Sequence, residues 1–117
     1  MVPCSLLAVA VLTLPLIARA DTASVVANLK GEQAECDFLL GLCRAANRSA
    51  RFAADTPLTA QTEVLATRHA REAQMHVQDA LEAGQAIMAK HGGRKLKCFD
   101  DPECEFVRKR LDTRPGS

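Results

Sequence analysis

Two cysteines, Cys36 and Cys43, bracket the stretch CDFLLGLC, inside a run whose apolar residues recur at helical spacing. On a continuous helix they are separated by about 10.5 Å along the axis, at 1.5 Å per residue. A disulfide requires Cα atoms within about 7 Å. The two therefore cannot bond to each other without unwinding the helix, although seven residues make almost two turns and leave both on nearly one face. Each needs a partner elsewhere, and Cys98 and Cys104, from CFDDPEC, are the candidates. The chain must bring that late segment back along the early helix.

The first residues, MVPCSLLAVAVLTLPLIARA, give these cysteines a compartment. The run from Leu6 to Ala18 is almost wholly apolar. Ala18-Arg19-Ala20 fits the small-x-small rule for cleavage before Asp21, which predicts a signal peptide over residues 1–20. The run is shorter than the ~20 apolar residues of a membrane span. No Lys or Arg precedes it, so a retained N-terminal anchor is the alternative. Cys4 lies ahead of the run and leaves with the signal. Four cysteines then remain in an exported chain, an even number that implies two disulfides. After cleavage the chain is expected to carry no stable membrane anchor.

Residues 21–117 are expected to form a single all-α domain. The first helix is read over about 23–54, with a break possible near Gly31. Thr56 as cap and Pro57 at the first helical position predict a second helix over about 57–90, stopped by Gly92-Gly93. Its seam is Ala66, Ala70, Ala73, Val77, Ala80, Gly84 and Ile87, stepping by four and three in a coiled-coil heptad pattern. Asp101-Pro102-Glu103 reads as cap, first residue and acidic first turn of a third helix, to about 111. The tail 112–117 reads as frayed.

Tracing direction then orders the cysteines. Helix one runs up, helix two comes down, and the glycines return the chain near the start of helix one. The last segment climbs, meets Cys36 first and Cys43 second, and gives Cys36–Cys98 and Cys43–Cys104. The crossed pairing, Cys36–Cys104 with Cys43–Cys98, requires that segment to descend; sequence alone leaves the three pairings open. A four-cysteine zinc site is a poorer reading, because structural sites favour cysteines two to four residues apart.

Other constellations are sparse. His69, Glu72 and His76 fall at i, i+3 and i+7 and are candidate ligands for zinc, copper or nickel. The two histidines are about two turns apart, so the tight i, i+4 chelate is missing. No paired carboxylates, nucleophile elbow or phosphate loop is present, and the chain is expected not to be an enzyme and to need no cofactor. Removing residues 1–20 takes away only Arg19 among charged side chains and leaves acids and bases balanced. With no Trp, no Tyr and four Phe, neither a basic field nor stacking platforms exist for nucleic acid. Arg94-Lys95-Leu96-Lys97 and Arg108-Lys109-Arg110 make the late segment locally basic. Asn47-Arg48-Ser49 matches the glycosylation sequon, a weak signal within a helix.

The expectation is an exported, periplasmic or secreted, disulfide-stapled helical hairpin that binds a protein partner as an inhibitor, adaptor, chaperone or immunity-type protein. The Ala-rich seam offers the contact, including a possible homodimer through helix 57–90. The alternative is a metal-binding protein using His69, Glu72 and His76.

Overall fold

A computed structural model describes residues 21–112. The expected signal peptide, its cleavage motif and the tail beyond Asp112 lie outside the described residues. The fold is all-α, with no strand among those residues. Helices α1 (Thr22–Asn28), α2 (Glu32–Asp55), α3 (Glu63–Lys90) and α4 (Glu105–Asp112) follow in order, with 3-10 turns at Lys97–Asp100 and Pro102–Cys104 between α3 and α4.

The expected first helix is two. It divides at Leu29–Gly31, where Gly31 takes φ 92°, a region that L side chains rarely adopt. The division frees α1 to bury Val26 and Thr22 while α2 continues as one arm of the hairpin. Gly41, by contrast, sits inside α2 without interrupting it.

The second helix begins at Glu63, not Pro57. Thr56 closes α2 instead of opening α3: its N–H and its hydroxyl both donate to the Phe52 carbonyl, at 3.1 and 2.7 Å. Pro57 disfavours helical backbone at the residue before it, and Thr56 is extended at φ −86°, ψ 113°. Thr59 and Thr62 then bond to each other and hold a turn. The Thr59 N–H donates to Thr62 Oγ1 at 3.0 Å, and the Thr62 N–H donates to the Thr59 carbonyl at 3.2 Å. Threonine hydroxyls compete in this way with the helical ladder.

At its far end α3 stops as the glycines imply, with the Gly93 N–H donating to the Met88 carbonyl at 2.7 Å. The third helix is also modified. Asp101 caps as expected, accepting from the Glu103 N–H at 2.9 Å, but the turn it caps is 3-10 and the α-helix begins at Glu105.

The core sits at the base of the hairpin. Leu39 and Cys43 of α2, Ala80, Ala83 and Ile87 of α3, and Phe99, Cys104 and Val107 of the return segment are all fully buried. A Cβ on Gly84 would stand 2.8 Å from Val107 Cγ1, 3.4 Å from Leu111 Cδ1 and 3.6 Å from Phe99 Cε2. The return segment lies against α3 at this close approach, and its docking depends on glycine there.

Candidate interaction face

Both disulfides take the pairing that the chain tracing gives. Cys36–Cys98 and Cys43–Cys104 bridge Cα atoms 5.5 and 5.3 Å apart. They lie two turns apart along α2 and fasten the climbing 3-10 segment to its face. Asn47 extends the same line, its Nδ2 donating to the Glu103 carbonyl at 2.8 Å. The amide of the sequon is thus engaged, and Ser49 beside it is buried.

A polar centre joins α1, α2 and α3 at the base. The Glu35 carboxylate is 1 % exposed, with Lys90 Nζ 2.8 Å from one oxygen and His91 Nε2 2.8 Å from the other. Lys90 Nζ also donates to the Val26 and Leu29 carbonyls, at 3.1 and 2.9 Å, and so caps the end of α1. Its hydrogen bond holds the Glu35 carboxyl below its ordinary pKa; burial opposes this, while the bond to His91 and the charges of both bases reinforce it. Sequence reading missed this centre. Its signal was an acid four residues before Leu39 and eight before Cys43, on the buried stripe of α2.

The surface bases of the return segment are largely engaged as well. Arg94 pairs with Glu32 at 2.7 Å, Lys95 contacts Asp112, and Lys109 pairs with Glu105 at 3.3 Å. A cleft of about 580 Å³ adjoins the Cys36–Cys98 bridge. Among the described residues, no histidine, serine or threonine lines it.

The proposed seam of α3 divides in two. Ala80, Gly84 and Ile87 are buried within the chain. Ala66, Ala73 and Val77 are only half-buried, and Ala70 is exposed. A second line, His69, Ala73, His76, Ala80, Ala83 and Ile87, shares every other member and has the same four-three step. Ala83 on it is fully buried, and the Nδ1 atoms of His69 and His76 are buried without a hydrogen-bond partner. The histidines therefore stand at the margin of the helix–helix contact, and His69 packs on Phe52 with ring centroids 5.5 Å apart. Glu72 is half-buried. Among the described residues, no three His, Cys, Asp or Glu side chains converge as metal ligands, so His69, Glu72 and His76 are not assembled into one site.

Beyond the return segment, α2 and α3 continue as a two-helix arm. No residue from Ala50 to Asp79 is buried. Large apolar side chains are exposed along it: Phe52, Leu58 at 78 %, Val64 at 73 %, Leu65 and Met75. Among the described residues no helix is long and apolar enough to cross a membrane.

Comparison of the chain with protein-family models, with curated proteins and with solved structures found no match.

Proposed function

We propose that this is an exported, non-enzymatic protein that binds a protein partner through the arm of its hairpin. The observation that carries the reading is the contrast along α2 and α3. The base is a closed core crossed by two disulfides, whereas none of the thirty consecutive residues Ala50 to Asp79 is fully buried. Helices of this kind owe most of their stability to packing of an apolar face. An arm held out from a stapled base, with its large apolar residues in solvent, is what a contact surface requires. Within the seam, Ala66, Ala70, Ala73 and Val77 are the members left for a partner, joined by Phe52 and Leu65. Two disulfides fit an oxidising compartment, and the apolar run ending in Ala18-Arg19-Ala20 supplies a route to it.

Photo-crosslinking in the expressing cell tests this reading. A photoreactive residue at Leu65 should yield a discrete protein adduct, and one at Lys97 on the base should not. Absence of any protein adduct from Leu65, Phe52 and Ala70 would contradict it.

A further inference from the structure

We infer that α1 is a strap fastened to α3 by Lys90, and that it opens and closes while both disulfides and the base stay intact. The inference is independent of what the arm binds.

The sequence makes α1 a poor helix by itself. It holds seven residues, Thr22–Asn28, well short of the length at which an isolated helix forms in water. Ala23, Ser24, Ala27 and Asn28 are exposed. Val26 is its one apolar side chain that is fully buried. The order of α1 must therefore come from the surface beneath it, and that surface is chiefly α3. Asp21 and Ala23 share a cleft with Glu82, Gln85 and Ala86, and Lys90 stands at the other end of the strap. So α1 runs alongside the last turns of α3.

The fastening is a single ammonium group. Lys90 Nζ donates to the Val26 and Leu29 carbonyls at 3.1 and 2.9 Å, at the C-terminal end of α1, where a cation suits the helix dipole. Among the described residues, these are the hydrogen bonds that join the strap to α3. Lys90 is itself held by the buried Glu35 carboxylate at 2.8 Å. The strap thus closes onto a group that α2 and α3 have already placed.

No covalent link holds it shut. Both bridges begin at or after Cys36, so residues 21–30 lie outside the loops they close. The connection to α2 is Leu29–Gly31. Gly31 takes φ 92°, and an added Cβ there would meet no atom within 4 Å. A glycine in open space can change its dihedrals without collision. Beyond it α2 starts its own first turn, with the Glu35 N–H donating to the Gly31 carbonyl at 3.2 Å. One buried apolar side chain, one polar tie and a free hinge are the marks of a segment that opens sub-globally. Opening withdraws Val26 from the core and bares the side of α3 that carries Glu82 and Ala86.

Residue-resolved hydrogen exchange by NMR on the oxidised, processed chain tests the proposal. The amides of Val25–Leu29 should be protected, yet should exchange at least about a hundredfold faster than those of Leu39–Ala46, with little response to dilute urea. Val26→Ala should speed the first set about tenfold and leave the second unchanged. Lys90→Gln should speed the first set at least about tenfold more than the second, whose change reports the cost of leaving Glu35 without its base. Equal rates for the two sets in the parent chain, or parallel acceleration of both by Val26→Ala, would make α1 part of the cooperative core and overturn the strap. Open-chain rates at Val25–Leu29 before any substitution would overturn its closure. A Lys90→Gln chain in which the ratio of the two sets is unchanged would overturn the fastening.

Discussion

Glu35 and His91, 56 positions apart in the chain, meet at 2.8 Å between Oε1 and Nε2 where α2 begins and α3 ends. With Lys90 on the other carboxylate oxygen, this contact makes an ionised carboxylate part of the base of the fold. The folded Glu35 pKa is lowered, chiefly by the Lys90 hydrogen bond. Its contribution to stability is therefore fully present above the unfolded carboxyl pKa, about 4.3, and is lost as pH falls through the folded value. Glu35→Gln should cost about 1–2 kcal/mol near pH 6, the lower part of the range for charged hydrogen bonds because Lys90 keeps a third of its side chain in solvent. Thermal midpoints of the two proteins should converge as the pH drops below 4. A constant difference from pH 7 to pH 3 would show that the charge of Glu35 is not what matters.

Gly84 and Gly41 should respond oppositely to alanine. At Gly41 no atom lies within 4 Å of an added Cβ, so Gly41→Ala should stabilise by about 0.5–1 kcal/mol through helix propensity. At Gly84 the new methyl meets Val107 Cγ1 at 2.8 Å. Val107 is stiff and wholly buried. Overpacking of about 1–3 kcal/mol then exceeds the propensity gain. Chemical denaturation of both variants measures the signs; stabilisation by Gly84→Ala would mean that the return segment gives way freely.

The two bridges should differ in accessibility. Cys43 and Cys104 are fully buried, whereas Cys98 is 8 % exposed and Cys36 is half-buried beside a cleft. Thiol–disulfide exchange requires access to a sulfur. Limited reduction followed by alkylation and peptide mapping should label Cys36 and Cys98 first. Early labelling of Cys43 and Cys104 would reverse the assignment. Each bridge closes a loop of similar length, with sequence separations of 62 and 61, so loop entropy does not separate them.

Asn47 should act as a tie for the return segment. Asn47→Ala removes its bond to the Glu103 carbonyl and should cost about 1 kcal/mol. Expression in a glycosylating host should leave Asn47 unmodified in the folded protein, as intact mass will report. An added glycan with stability unchanged would place the side chain in solvent.

The parts of this fold legible in the sequence are those governed by local chemistry and by chain direction. The cysteine spacing forbids the Cys36–Cys43 bridge, and tracing the hairpin gives the pairing that is found. Gly92-Gly93 marks the end of α3, and Asp101 caps. The start of α3 is not legible at Thr56-Pro57, because that pair satisfies the rules for a helix start as well as those for a helix end. The threonine hydroxyls that decide between them bond across several residues. Glu35 was missed because its two bases arrive from the far end of the hairpin. The seam was half legible: Ala73, Ala80 and Ile87 belong to two heptad lines. Which line closes depends on the return segment, which covers Gly84 and leaves Ala70 in solvent.

Amide hydrogen exchange on the oxidised protein, followed by mass spectrometry, tests the central contrast most directly. In dilute solution, amides in 36–47 and 80–91 should exchange only through global unfolding, and those in 50–79 should exchange orders of magnitude faster. Binding at the arm should then slow the second set and leave the first unchanged. Equal protection of arm and base in the dilute monomer would contradict the account, since the arm would then be a closed structure with no surface left to offer.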